Sequence, residues 1–207
     1  MNPRHHPSHE ILTSYASGLA EPGFGLVIGA HVQQCRACQT QVAQFEAASG
    51  EALSALPEAD VAGDALSRAL AKIGVAAPEA SSSRPDERPL LQRLPLKSKK
   101  WVAPGVWVAA VDTPHAPENR VYVLHVGAGR PTARHAHSGA EFCTVLQGAF
   151  SDDSGYYAAG DFAAADGEVQ HQPVVEGDEA CVCLFATEGR LKAQGMLGRL
   201  AFGYADV

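Results

Sequence analysis

GRPTARHAHSGAEFCTVLQG, residues 129–148, decides the architecture of the C-terminal half. His135 and His137 stand two apart, so on an extended strand their imidazoles project to the same side. Glu141 can return to that side after a short turn at Ser138-Gly139. Downstream, GDFAAADGEVQHQP (160–173) supplies His171 on another strand. Three imidazoles and a carboxylate make a mixed nitrogen/oxygen set suited to Zn, Fe, Mn, Ni or Co, and ligand chemistry alone does not choose among them. The competing reading makes them simple surface residues.

The flanking sequence is β in character. WVAPGVWVAAV, RVYVLHV, EFCTVLQGAF, YYAAGDFAAA and ACVCLFAT are short, rich in β-branched and aromatic residues, and punctuated by Gly, Asp and Pro. Many short strands without intervening helices suggest a sandwich or small barrel. Cys143 shares parity with Glu141, and Cys181 shares a face with Cys183; buried inert thiols are the favoured reading of all three. His115 and His125 stand alone without ligand spacing.

N-terminal to this half, residues 76–90 are rich in Ala, Ser and Pro and read as a flexible linker, because little in them could be buried to offset the entropy of ordering. Residues 1–75 read as helical. Ser8 can cap a helix carrying Leu12, Tyr15, Ala16 and Leu19 on one face, and Pro22 suits the first turn of the next. Val42 and Phe45 mark a third helix, expected to break near Gly50. Asp60 is placed as the cap of a fourth, whose Leu66, Ala69, Leu70 and Ile73 form one apolar stripe ending at Gly74.

The second helical segment runs into HVQQCRAC (31–38). At 3.6 residues per turn, His31, Cys35 and Cys38 fall on one face of a single helix, or of a helix and the turn after it. A fourth ligand would close a tetrahedral site and tie two helices together. His5, His6 and His9 are the candidates. His6, in the extended chain before Pro7 and the Ser8 cap, is preferred, with His5 still open. Two core cysteines and a surface histidine would be the plainer explanation, but His-x3-Cys-x2-Cys with upstream histidines favours zinc. A metal staple also suits a helical unit with a modest apolar supply.

The chain has 207 residues and a net charge of −7, which argues against direct binding to DNA phosphates. The basic residues concentrate in the connector: residues 76–100 carry six basic and three acidic groups, while both flanks are acidic. No run of about 18 apolar residues exists to span a membrane. The N-terminus MNPRHHPSHE lacks the apolar stretch of a signal peptide, so a cytoplasmic protein is expected. There, five cysteines are expected as ligands, sensors or buried thiols rather than disulfides.

Two resemblances follow from these motifs. His6 with His31, Cys35 and Cys38 resembles the zinc-binding anti-sigma domain, in which three helices surround the zinc and a fourth packs on a group IV (extracytoplasmic-function) sigma factor. The Leu66, Ala69, Leu70, Ile73 stripe occupies the place of that fourth, partner-binding helix; folding back on its own bundle is the other reading. Gly129, His135, His137, Glu141 and Gly148 match the first motif of the cupin fold, a small antiparallel β-barrel. Gly160-Asp161 and His171 match the core of its second motif, without the proline and final asparagine of the stricter pattern.

The combined order resembles the ChrR-type anti-sigma factors. The resemblance implies a multidomain α + β chain: a zinc-stapled helical anti-sigma domain (1–75), the linker (76–90) and a cupin barrel (91–207). It implies Zn2+ in the helical domain and a second divalent metal in the cupin, with Zn2+ favoured and Fe, Mn or Ni as alternatives. It also implies inhibition of a sigma factor, with release on a stress such as singlet oxygen or organic hydroperoxide. The rival reading is a metal-dependent cupin enzyme, a dioxygenase or isomerase acting on a small molecule. The helical half, which such an enzyme does not require, favours the regulator over an enzyme.

Overall fold

The computed structural model describes residues 2–73, 88–113, 119–132, 135–136, 139–165, 170–188 and 192–193. His115, His137, Gly74 and most of the 76–90 linker lie outside the described residues.

Helix α1 spans His9–Ala16, and the Ser8 hydroxyl accepts from the Ile11 amide at 3.2 Å, as its capping position predicts. The helix ends before Gly18, whose φ of 71° turns the chain away. Leu19 therefore falls outside the expected apolar face and stands 80% exposed. Helix α2 spans Pro22–Val32 with proline in its opening turn. Helix α3 covers Arg36–Ser54 and continues through Gly50 rather than breaking there. The surrounding Ala47, Ala48, Glu51 and Ala52 are strong helix formers and outweigh the roughly 1 kcal/mol that one glycine costs. Helix α4 covers Ala65–Ile73. Asp60 does not cap it: Gly63 interrupts the approach, and the first turn is built on the Asp64 carbonyl, which accepts from the Arg68 amide at 3.0 Å. A short α5, Leu90–Arg93, precedes the β half.

The strands are β1 (Lys100–Ala103), β2 (Val106–Ala110), β3 (Asn119–Val126), β4 (His135–Ala136), β5 (Glu141–Gln147) and β6 (Ala149–Asp152). They continue as β7 (Gly155–Ala158), β8 (Phe162–Ala165), β9 (Gln170–His171), β10 (Val174–Glu176), β11 (Cys181–Glu188) and β12 (Lys192–Ala193). Six form one sheet in the order β1-β2-β3-β11-β5-β8; β10-β6-β7 and β12-β4-β9 form two smaller sheets. Among the described residues every strand pairing is antiparallel. This is a helices-plus-antiparallel-sheet, cupin-like architecture, and the three sheets do not join into a closed barrel among the described residues.

Both faces of the central strands β3, β5 and β11 are largely buried, and alternation along each divides its residues between two compartments. Val121, Val123, Phe142, Val182, Leu184 and Ala186 join the core shared with α1, α2 and α3. Val126, Cys143, Val145, Cys181 and Cys183 form a second core with Phe150 and Val175. Double burial explains why ACVCLFAT reads as an unbroken apolar run rather than an alternating one.

Helix α2 lies between this sheet and the other helices. Its sequence PGFGLVIGAHV is apolar nearly all round, as a helix covered on several sides must be. Gly23 allows the closest approach: a Cβ there would come within 2.5 Å of the Asn119 Cβ. The Thr144 hydroxyl of β5 donates to the Val27 carbonyl of α2 at 2.8 Å, buried from solvent. Thr144→Val, which keeps the shape and removes the donor, should cost about 1 kcal/mol. Thermal unfolding of the variant should shift down by a few degrees.

Candidate metal centre

The helical half brings His6, His31, Cys35 and Cys38 together, with one donor atom from each lying within 4.8 Å of the others. The loop between α2 and α3 explains how. His31 sits in the last turn of α2, Cys35 is the extended residue before α3, and Cys38 lies in the first turn of α3. The trio thus spans a helix, a tight turn and the start of the next helix. His6 comes from the extended arm before α1. Cys35 Sγ is 3.3 Å from His6 Nδ1, Cys38 Sγ is 3.5 Å from the same atom, and His31 Nε2 is 3.3 Å from Cys38 Sγ. A tetrahedron built from ordinary zinc–sulfur and zinc–nitrogen bonds has nitrogen–sulfur edges of roughly 3.6 Å. The donor set and its spacing therefore fit a four-coordinate soft-metal ion, which these four residues could hold.

The electrostatics suit the same purpose. His31 is fully buried, and burial lowers its pKa, so the ring is neutral. Its Nδ1 lies 2.7 Å from the Gly160 carbonyl, which accepts the ring proton and leaves the Nε2 lone pair facing Cys38. Burial, reinforced by Cys35, pushes the free Cys38 thiol up to about 12. A metal binding there must displace a proton, so occupancy should weaken as pH falls.

The choice among the N-terminal histidines is also visible. His5 turns to the β half, where Nδ1 lies 3.4 Å from the Asp161 carboxylate and the ring packs on Tyr157 at 4.3 Å between centroids. His9 packs edge-on against Phe45. Only His6 of the three joins the cluster.

In the β half, the register of β4 and β9 sets His135 directly opposite His171. Glu141 opens β5, buried, and the Tyr122 hydroxyl donates to its Oε2 at 3.5 Å. Burial, then the Glu141 carboxylate, pushes the Tyr122 phenol well up, so it remains a donor. Cys143, Cys181 and Cys183 are all buried on the sheet face that carries Glu141, and the last two sulfurs lie 3.5 Å apart. Burial raises Cys143, and the neighbouring sulfurs together with burial raise the other two, so all three are thiols. His125, read as an isolated residue, stacks on Trp107 and faces the Gly105 carbonyl at 3.2 Å.

The apolar stripe of α4 is uncovered. Leu66, Leu70 and Ile73 are 71%, 57% and 78% exposed, Ala69 is exposed beside them, and no residue of the helix is buried. It does not fold back on the other helices. The two partners that sequence reasoning missed are the Gly160 carbonyl and Asp161: both sit in a segment read only as part of a cupin motif. Among the described residues no helix is long and apolar enough to cross a membrane.

A helical unit with a two-nitrogen, two-sulfur cluster, seated on a cupin-like sheet, is the class of protein these elements define. The family model of the ChrR cupin-like domain matches residues 95–191. The chain is 31% identical to the anti-sigma-E factor ChrR of Cereibacter sphaeroides over 97% of each chain. It is also similar to the crystal structure of Rhodobacter sphaeroides SigE in complex with the anti-sigma ChrR: TM-score 0.76 and 29% identity, over 90% of this chain and all of that one. A weaker likeness, with TM-score 0.41 and 19% identity over 48% of this chain and 66% of the other, is to an RmlC-like cupin protein of Ralstonia eutropha. The chain belongs to the ChrR family of anti-sigma factors.

Proposed function

We propose that this chain binds and inhibits an extracytoplasmic-function sigma factor, acting as a negative regulator of transcription. The observation that carries the reading is the uncovered stripe of α4, where three large side chains stand more than half exposed on one face. Such a face is suited to an apolar groove on a partner. Family membership supplies the class of partner, since the similar solved structure is of ChrR with SigE. Leu66, Ala69, Leu70 and Ile73 are the proposed contact residues. Regulation rather than catalysis is the claim, with no direct contact to DNA and with the cytoplasm as the place of action.

The helical cluster is proposed to hold Zn2+, which would supply a structural cross-link between the N-terminal arm, α2 and α3. His135, His137, Glu141 and His171 are proposed to hold a second divalent metal inside a cupin barrel, with Zn2+ favoured over Fe, Mn or Ni. Support comes from the opposed register of His135 and His171 and from the burial of Glu141 near a phenol donor. In this scheme residues 1–75 grip the partner, 76–90 connect, and 91–207 answer an oxidant such as singlet oxygen or an organic hydroperoxide.

Co-expression with a SigE-like extracytoplasmic-function sigma factor tests the reading. Stoichiometric co-purification is expected, and its absence would count against the proposal. His135→Ala with Glu141→Ala should leave capture unchanged and blunt release under oxidant, measured with a promoter reporter. Oxygen consumption by the purified chain on a defined small substrate would instead favour a dioxygenase.

A further inference from the structure

One turn of the β half holds the His31 imidazole directly and the backbone just before His6. Gly160 and Asp161 connect β7 to β8, more than 120 residues from His31 in sequence. The Gly160 carbonyl accepts a hydrogen bond from the His31 Nδ1–H at 2.7 Å. Asp161, only 2% exposed, receives three backbone amides: Arg4 at 2.6 Å and His5 at 3.0 Å on Oδ1, and Ala158 at 2.8 Å on Oδ2. The His5 carbonyl in turn accepts from the Phe162 amide at 3.1 Å. Residues 4 and 5, immediately before His6, are thereby laced to the turn. Gly160 has a φ of 93°, and a Cβ there would come within 3.0 Å of the Pro3 ring, so the turn and the arm are fitted to each other.

We propose that Asp161 is a positioning residue of the helical metal centre, fixing the Arg4–His5 backbone so that His6 reaches the cluster while the adjacent Gly160 carbonyl orients His31. The inference rests on the reading that the cluster binds a metal. It adds that metal affinity is linked to the conformation of a turn in the other half of the chain. Outer partners of ligating histidines typically alter metal affinity about 10–100-fold when removed. Linkage is reciprocal, so an ion that stabilises the cluster also stabilises the turn. β8 follows that turn, and β9, with His171, is the next strand in chain order.

Asp161→Asn provides the test, since it keeps the shape but can turn an amide donor towards the backbone N–H groups. The full-length apoprotein would be titrated with Zn2+ against a chelator, and with Co2+ followed by its thiolate charge-transfer and d–d absorption. The variant should bind Zn2+ about 10–100-fold more weakly and give a shifted Co2+ spectrum. Asp153→Asn, at an exposed position between β6 and β7, should match the wild type. Unchanged Zn2+ affinity and Co2+ spectrum in a folded Asp161→Asn chain would overturn the inference and leave the metal reading standing. Failure of the wild type to take up Zn2+ would overturn both. Should the variant not fold, wild-type hydrogen exchange decides: Zn2+ should slow the amides of Arg4, His5 and Ala158, and indifference to Zn2+ would overturn it.

Discussion

Serine in place of both Cys35 and Cys38 should abolish capture of the sigma factor, with co-purification falling to background and zinc content falling with it. The two sulfurs are half of the proposed ligand set, and both are buried, at 0% and 2% exposure. Apparent zinc-binding free energies in small structural sites are about 10–16 kcal/mol at neutral pH, so losing two thiolates would remove the proposed metal cross-link between the arm, α2 and α3. The helices would keep their contacts to the sheet through Phe24, Val27 and Ile28. The expected lesion is therefore disorder around the cluster rather than global unfolding. Metal analysis, a pull-down and far-ultraviolet circular dichroism on the same preparation would separate these effects. Tight capture by a zinc-free double variant would show that the cluster does not support binding.

Leu66→Glu combined with Leu70→Glu should weaken sigma-factor binding by about 10²–10⁴-fold while zinc content and thermal stability stay as in the wild type. Burying a leucine side chain is worth about 1.5–3 kcal/mol, and two such losses correspond to that range of dissociation constants. Stability should be spared because neither side chain is buried in the free chain and glutamate is a good helix former. Calorimetric titration with the purified sigma factor measures the effect. Unchanged affinity would remove α4 from the interface.

Short-range features of this structure were the ones legible in the sequence. The Ser8 cap, the opening Pro22 and the β runs around residues 101–188 each follow from local chemistry, and the helices and strands lie where that chemistry places them. The spacing of His31, Cys35 and Cys38 announced the cluster because ligand geometry is itself local there. His5 and His6 were harder to separate because the deciding partner, Asp161, lies 156 residues from His5. The extent of α3 was misread because a single glycine was given more weight than the alanines beside it. The seating of α2 on the sheet left only an indirect trace, in strands such as β11 that lack polar alternation. The proposed cupin ligand set includes His137, which lies outside the described residues.

The doubly covered sheet bears on how such a chain can be rebuilt by recombination. Along β5, Glu141, Cys143 and Val145 face one compartment while Phe142, Thr144 and Leu146 face the helices. A cupin transplanted from a free-standing protein would bring an outer face written for water, and α2 would find no apolar seat on it. Deleting the helices would likewise strand an apolar surface in solvent. The helical and β halves are thus poor interchangeable modules, because the outward residues of β3, β5 and β11 must change together with α2 for any exchange to fold.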